Sequence, residues 1–174
     1  MNSQHINTLI KSTKLLVTDC DGVLTDGKLS YSQNNDELRT FSIYDGSALK
    51  ILKALGYRIV IASTDRTSIC SRRAVHLGVN YIDASTTDKY LALSRNIAPL
   101  PPYIFVGDDI GDLSCIQHSA LSFCPSSAPK YIKDIVDCIL PVKGGEGVLL
   151  ELANLLLNAD GLNFSDIRHQ FFRL

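Results

Sequence analysis

Residues 15–27, LLVTDCDGVLTDG, decide how the rest of the chain is interpreted. The apolar run 15–17 is typical of a strand in a parallel sheet that is covered on both faces. Three carboxylates, those of Asp19, Asp21 and Asp26, then follow within eight residues. Carboxylates clustered at a strand end repel one another and resist desolvation. The stretch therefore predicts a bound cation.

The composition is that of an ordinary globular protein, with 174 residues of which 45% are hydrophobic and 20% charged. This length suits a single domain, residues 1–174, with a sizeable core. The formal net charge of -1 and the scattered basic residues argue against nucleic acid as a partner. Because the sequence has neither the long apolar core of a signal peptide nor an apolar stretch of roughly 18 residues, we expect a cytoplasmic protein without a membrane partner.

Strand-like and helix-like segments alternate along the chain, which predicts an α/β fold with a parallel sheet and helices on both faces. The predicted strands are 15–18, 58–62, 81–82, 103–106, 121–123 and 138–141. The predicted helices are 46–55, 67–77, 89–95, 112–118, 130–135 and 148–157. In the segment 28–42, KLSYS and ELRTFS flank the polar turn QNND, so an antiparallel hairpin is predicted there. The C-terminal tail, 158–174, carries Phe171 and Phe172, which we expect to pack on this chain or on a neighbour.

Charged and hydroxyl side chains stand where several predicted strands end. Ligands of open α/β sheets bind beyond the carboxyl ends of the strands, so residues at these positions converge on one edge of the sheet. The motif VGDDIGD follows the fourth strand, and a lysine begins the helix before that strand. The candidate site residues are Asp19, Asp21, Ser63, Lys89, Asp108, Asp109 and Asp112.

This set of residues predicts Mg²⁺-dependent phosphoryl transfer. Asp19 and Asp108 supply the carboxylate oxygens that Mg²⁺ prefers, with a substrate phosphate as a further ligand. Asp19 would attack phosphorus to give an aspartyl phosphate, and Asp21 would protonate the leaving oxygen and then take a proton from the attacking water. The Ser63 hydroxyl and the Lys89 ammonium would hold the equatorial phosphate oxygens.

Each of these residues has a simpler explanation when it is taken alone. Lys89 could be a surface lysine, Ser63 a turn former and Asp112 a helix cap. Carboxylates at two strand ends at once are harder to explain by structure alone, because clustered charges destabilise the fold. The combination therefore favours a catalytic site.

The order of the motifs DCDGVLTDG, Ser63, Lys89 and GDDIGD resembles that of the haloacid dehalogenase superfamily of aspartate-nucleophile phosphatases. Receiver domains of response regulators use a similar acidic pair, hydroxyl and lysine, but there the lysine comes last, which argues against a receiver. No large insertion follows the hairpin or separates Ser63 from Lys89. The resemblance therefore implies the capless branch, with a three-layer Rossmann-like fold and a hairpin flap after the first strand.

A narrower resemblance covers about residues 14–157. The stretches TDGKLSYS, LRTFSIYDG, RRAVHLGV, GDDIGDL and GGEG resemble phosphatases of 3-deoxy-2-keto sugar acid phosphates. These comprise 3-deoxy-octulosonate (KDO) 8-phosphate phosphatases, nine-carbon (acylneuraminate) acid 9-phosphate phosphatases and a related domain of acylneuraminate cytidylyltransferases. The resemblance implies a homotetramer assembled through the hairpins, with a neighbour covering each active site. A non-catalytic oligomerisation domain is the alternative, and the complete set of charged site residues argues against it.

The resemblance also implies a role for each candidate residue. Arg73 matches an arginine suited to bidentate pairing with a substrate carboxylate. The other matches are Asp19 as nucleophile, Asp21 as acid/base and as a metal ligand through its backbone carbonyl, Ser63 as the motif hydroxyl, Lys89 as the lysine, and Asp108 as the metal carboxylate with Asp109 or Asp112 in support.

Two departures from the family pattern bear on the substrate. Ser63-Thr64-Asp65 stands where the octulosonate enzymes usually have Thr-Gly-Arg, and GGEG stands where they have Gly-Gly-Arg-Gly. An anion in place of a cation reverses the preference for a nearby carboxylate. We therefore expect Asp65 and Glu146 to contact the substrate together with Arg73, and nine-carbon acid 9-phosphates to be preferred over KDO 8-phosphate.

Overall fold

The computed structural model describes residues 3–34 and 36–168, which form a parallel sheet between two layers of helices. Six strands lie in the order β5-β4-β1-β6-β7-β8, and the remaining two form an antiparallel hairpin. The strands are β1 (Leu15–Thr18), β2 (Ser30–Tyr31), β3 (Glu37–Leu38), β4 (Arg58–Ser63), β5 (Asn80–Asp83), β6 (Tyr103–Val106), β7 (Leu121–Pro125) and β8 (Cys138–Leu140).

The helices divide between the two faces of the sheet. Side chains of α1, α2, α3 and α7 pack into one hydrophobic core, and those of α4, α5 and α6 pack into the other. The helices are α1 (Ser3–Ser12), α2 (Ile43–Ala54), α3 (Ile69–Leu77), α4 (Lys89–Asn96), α5 (Leu113–His118), α6 (Lys130–Lys133), α7 (Val148–Ala159) and α8 (Phe164–Ile167), with a 3₁₀ turn at Ile110–Asp112.

The apolar run of β1 is continuous because both of its faces are buried. Leu16 points into the core under α2 and α7, whereas Leu15 and Val17 point into the core under α4 and α5. Successive side chains of a strand alternate between faces, so a strand buried on both sides needs apolar residues at every position. The predicted three-layer α/β fold is confirmed.

The six parallel strands lie where the sequence predicts them, with ends that differ by at most two residues. The predicted hairpin is also present, although its strands have only two residues each. Helix α2 begins at Ile43, earlier than predicted, because the Ser42 hydroxyl caps it by accepting a hydrogen bond from the backbone N–H of Tyr44. Phe171 and Phe172 lie outside the described residues.

The sequence analysis did not predict α1 or α8. Ile6 and Ile10 of α1 lie four residues apart and pack into the core that α7 also lines. This spacing is the signal of an amphipathic helix, and it was available in the sequence. None of the described helices has the length and apolar character needed to cross a membrane.

Candidate active site

The three central strands end side by side, and the candidate site lies at that edge. β1 pairs with β4 and β6 in parallel, with Thr18 opposite Ile61 and Val106. The N–H of Asp19 extends this ladder by donating to the Val106 carbonyl at 2.8 Å. A cavity of about 200 Å³ opens here, lined by Asp19, Asp21, Gly22, Gly27, Thr64, Lys89, Asp108, Asp109, Gly111 and Asp112.

Lys89 enters this cavity from the first residue of α4. Asp88 caps that helix by accepting the N–H of Leu91 at 3.0 Å, which fixes where the helix begins. The Lys89 side chain is 2% exposed, and its Nζ lies 2.8 Å from Asp19 Oδ1 and also hydrogen bonds Asp112. Burial opposes the charge, but the two carboxylates raise the pKa of Lys89 above its ordinary value. The lysine is therefore a buried ammonium in contact with the predicted nucleophile.

Asp112 supports the loop that carries the other acidic residues. Its Oδ2 accepts the backbone N–H of Asp108 at 2.8 Å and that of Asp109 at 3.2 Å. The exposed side chain of Asp109 also lines the cavity, and its Oδ1 accepts a hydrogen bond from the Tyr131 hydroxyl. Asp112 thus shapes the acidic loop while its other oxygen binds Lys89.

The carboxylates of this site carry more negative charge than Lys89 balances. Oxygens of Asp19, Asp108 and Asp112 lie within 4.8 Å of one another. Burial, followed by the charges of Asp19 and Asp112, raises the pKa of Asp108 to about 8. Burial and the charge of Asp112 raise the pKa of Asp19 to about 7. The buried Oδ1 of Asp108 has no hydrogen-bond partner among the described residues.

Gly22 makes room for the Asp108 carboxylate. A Cβ at residue 22 would lie 1.9 Å from Asp108 Oδ2, and the backbone there has φ +81°. Glycine is the residue that tolerates both this conformation and this close approach. The absence of a side chain at Gly22 therefore lets the loop after β1 and the loop after β6 meet at the cavity.

Asp21 lies at the exposed side of the same cavity, and its side chain is 35% exposed. The Thr25 hydroxyl donates to its Oδ1 at 3.2 Å. Arg39, which follows the hairpin strand β3, places its Nε 3.2 Å from the same oxygen. Arg39 was not among the predicted site residues, because no local pattern in the sequence connects residue 39 with residue 21.

Comparisons with known proteins identify the family. No protein-family model matches the chain. The 3-deoxy-D-manno-octulosonate 8-phosphate phosphatase of Haemophilus influenzae is 30% identical over 156 residues, which is 87% of this chain and 87% of the relative. The chain belongs to this phosphatase family of the haloacid dehalogenase superfamily.

Two solved structures support the same family. The cobalt-bound deoxy-D-mannose-octulosonate 8-phosphate phosphatase of Haemophilus influenzae is 29% identical, with a TM-score of 0.84 and coverage of 95% of this chain and 99% of that one. The 3-deoxy-D-manno-octulosonate 8-phosphate phosphatase of Moraxella catarrhalis, in complex with magnesium, phosphate and KDO, is 26% identical, with a TM-score of 0.85 and coverage of 99% and 100%. The predicted haloacid dehalogenase fold and phosphatase class are confirmed.

The acidic cluster fits a hard divalent cation. Its donors are carboxylate oxygens, which such ions prefer, and the unpaired Oδ1 of Asp108 is one of them. A cation there would also offset the repulsion that raises the pKa values of Asp19 and Asp108. The residues present therefore suit a divalent metal ion with oxygen ligands.

Two predicted residues, Ser63 and Asp65, lie behind the cavity wall. The buried Ser63 hydroxyl accepts the N–H of Asp65 at 3.0 Å, and the neighbouring Thr64 lines the cavity instead. The Asp65 side chain is 2% exposed and binds Arg39 through both oxygens. The substrate-binding role of Asp65 stays a prediction, and its charge is already paired within this chain.

The other two predicted substrate residues, Arg73 and Glu146, lie outside the cavity. Arg73 donates to the Ser42 carbonyl at 2.9 Å and stacks over the Phe41 ring at 5.0 Å. Glu146 is exposed and lines a second cavity of about 480 Å³, together with Lys28 and Lys143. The substrate-binding roles of Arg73 and Glu146 also stay predictions.

Proposed function

We propose that the chain is a Mg²⁺-dependent phosphatase that hydrolyses the phosphate ester of a 3-deoxy-2-keto sugar acid, with KDO 8-phosphate as the first candidate. The observation that carries this proposal is the contact between Asp19 and the buried Lys89 beside the carboxylates of Asp108 and Asp112. This arrangement combines a nucleophile, a fixed cation and oxygen ligands for a metal in one cavity.

The positions of the side chains support the catalytic roles that the resemblance implies. Asp19 is the nucleophile, and its attack on phosphorus forms an aspartyl phosphate as the sugar-acid oxygen leaves. Mg²⁺, bound by Asp19, Asp108 and the Asp21 carbonyl, would mask the negative charge of the phosphate. Asp109 and Asp112 support these ligands, Asp112 by holding the loop N–H groups.

Three further residues would transfer protons and stabilise the negative charge on the phosphate oxygens. Asp21 gives a proton to the leaving oxygen and then takes one from the water that hydrolyses the aspartyl phosphate. Lys89 holds an equatorial phosphate oxygen, and its charge is secured by two carboxylates. Ser63 would hold another equatorial oxygen once its hydroxyl turns towards the cavity.

The choice of KDO 8-phosphate rests on two observations. The relative at 30% identity is named for this substrate. The expectation of a nine-carbon substrate rested partly on the charge of Asp65, which Arg39 neutralises in this chain. Glu146 is exposed in the second cavity, and this acidic residue keeps nine-carbon acid 9-phosphates as the second candidate.

We also propose that the protein is one domain that works as a cytoplasmic homotetramer assembled through its hairpins. Leu29, Tyr31 and Leu38 are exposed on or beside the hairpin strands, and an apolar surface of this kind favours contact with another copy. Light scattering coupled to size exclusion would give the mass of the assembly. A Tyr31→Ser variant that stayed tetrameric would argue against the hairpin as the contact.

The test is phosphate release from KDO 8-phosphate and from nine-carbon acid 9-phosphates, with Mg²⁺ and after its removal by EDTA. Asp19→Asn should abolish release. Asp134→Asn, the same substitution in an exposed ion pair of α6, should leave it unchanged. The faster substrate decides between the two candidates. A folded wild-type protein that releases phosphate from neither would favour the non-catalytic oligomerisation domain.

A further inference from the structure

We propose that Arg39 is a positioning residue for Asp21: it holds the acid/base carboxylate from the hairpin side and is itself held by Asp65. The inference rests on the proposed role of Asp21 as acid/base. It gives the hairpin a part in catalysis within one chain, separate from any contact between copies.

Arg39 lies at the centre of three carboxylates. Its Nε forms an ion pair with Asp21 Oδ1 at 3.2 Å, without a hydrogen bond, its Nη2 is 2.7 Å from Glu37 Oε1, and its Nη1 is 2.9 Å from Asp65 Oδ2. Nη2 also donates to Asp65 Oδ1 at 3.1 Å, so the Asp65 pair is bidentate. The side chain is only 6% exposed. A guanidinium fork so enclosed has little freedom to move.

Asp65 connects Arg39 to the framework of the sheet. Its carboxylate accepts the N–H of Thr67 at 2.9 Å and the Thr67 hydroxyl at 2.7 Å. Its own N–H donates to Ser63 at the end of β4. The guanidinium is therefore fixed by the edge of the sheet that carries the catalytic residues, although residue 39 itself belongs to the hairpin segment.

Asp21 needs such a partner because the rest of its surroundings restrain it weakly. Its carboxylate is 35% exposed, and within the described part of the chain its other hydrogen bonds come from the Thr25 hydroxyl at 3.2 Å and the Cys70 thiol at 3.7 Å. A general acid works only when its oxygen lies within hydrogen-bond reach of the leaving oxygen. Without Arg39, the Asp21 side chain would sample rotamers that point into solvent.

A loss of positioning can be distinguished from a loss of folding by comparing two substrates with different leaving groups. A sugar-acid phosphate has an alkoxide leaving group, which needs a proton from Asp21, whereas p-nitrophenyl phosphate leaves as a stable phenolate without one. Hydrolysis of the aspartyl phosphate, in which Asp21 acts as base, is common to both substrates, so the comparison concerns the first step, transfer of the phosphate to Asp19. Loss of positioning should slow that step only for the sugar-acid phosphate, since general acid catalysis contributes about 10² to 10⁴-fold where it is needed. Damage to Lys89, Asp19 or the metal site would slow both.

The experiment compares the single-turnover rate of leaving-group release from KDO 8-phosphate, or from the nine-carbon ester if that is the faster substrate, with the rate of p-nitrophenolate release from p-nitrophenyl phosphate. Arg39→Gln should lower the first by about tenfold or more and the second by less than about threefold. Arg39→Lys keeps the charge but loses the fork, so its loss should be smaller. Arg58→Gln, the same change in an exposed arginine at the opposite end of β4, should alter neither rate. Equal losses on both substrates, or no loss, would overturn the inference.

A second measurement tests the connection through Asp65. Melting temperatures of Arg39→Gln, Asp65→Asn and the double variant should be non-additive, the double variant melting close to the less stable single variant. Additive shifts would overturn the anchoring by Asp65, even if the wild type proved inactive. A wild type inactive on both substrates would remove the proposed function and with it the positioning role.

Discussion

Two clusters at the same edge of the sheet have the same number of charged groups but differ in how well those charges are compensated. The Lys89 cluster consists of Lys89, Asp19, Asp108 and Asp112, and the Arg39 cluster consists of Arg39, Asp21, Glu37 and Asp65. Each contains one buried cation and three carboxylates. Counting charges therefore does not distinguish them.

The difference lies in burial and hydrogen bonding. In the Lys89 cluster, burial raises the pKa of Asp108 to about 8, and one Asp108 oxygen has no hydrogen-bond partner among the described residues. In the Arg39 cluster, burial would also raise the pKa of Asp65, but the bonds from Arg39 and Thr67 outweigh it, and the pKa lies below its ordinary value. The Lys89 cluster thus leaves a buried carboxylate oxygen for a further cation. In the Arg39 cluster the Asp65 charge is paired, although the Nε of Arg39 contacts Asp21 as an ion pair without a hydrogen bond.

Lys89→Met is the change expected to have the largest effect, because it removes the fixed cation from the cluster that needs one. Loss of a preorganised group that stabilises transition-state charge should lower kcat by about 100-fold or more. Phosphate release from KDO 8-phosphate in saturating Mg²⁺ measures it. Lys130→Met, which removes an exposed lysine paired with Asp134, is the matched control. Activity within threefold of wild type would contradict the role of Lys89.

Gly22→Ala tests the close approach of the two loops at the Lys89 cluster. The new methyl group would displace the Asp108 carboxylate, so Mg²⁺ affinity measured by calorimetry should fall by about tenfold or more. Gly56→Ala is matched in backbone conformation, since Gly56 also has φ +81°, but no atom lies within 4 Å of its added Cβ. That control should lose some stability and bind Mg²⁺ as the wild type does. Equal affinities in the two variants would contradict the crowding at Asp108.

The sequence predicted the Lys89 cluster because the sheet itself brings its members together. Asp19 and Asp108 follow neighbouring parallel strands. Because parallel strands end at the same edge of a sheet, the sequence alone predicts that these two residues lie at one edge. Lys89 begins a helix at the same edge. Knowledge of the strand order is enough to place these residues in one cavity.

The Arg39 cluster depends on contacts that no local pattern encodes. Residues 21, 39 and 65 meet only because the hairpin folds back against the loop after β4, and hairpin strands of two residues show no usable periodicity. The predicted preference for a nine-carbon substrate took the charge of Asp65 as free, whereas Arg39 pairs with it. A charge can be assigned from sequence, but whether it is free requires the tertiary structure.

Asp65→Asn tests whether the charge of Asp65, paired with Arg39, stabilises the folded state. Because the pKa of Asp65 is lowered in the folded state, its ionised form stabilises the fold above the unfolded pKa of about 3.9, and this contribution is lost as the pH falls below that value. The variant should lose about 2 kcal/mol of unfolding free energy at pH 7. The gap to wild type in urea denaturation should narrow at pH 3. A gap that stayed constant would show that the aspartate acts through packing.

Tyr131→Phe should have the smallest effect, and it tests whether Asp109 belongs to the Lys89 cluster. The Tyr131 hydroxyl donates to Asp109, whose side chain is exposed and does not belong to the close group formed by Asp19, Asp108 and Asp112. Removing a single exposed hydrogen bond should change Mg²⁺ affinity by less than about threefold, since surface substitutions rarely do more. Calorimetric titration beside the Gly22→Ala variant gives the comparison. A larger change would place Asp109 among the metal ligands and extend the cluster that needs a cation to a fourth carboxylate.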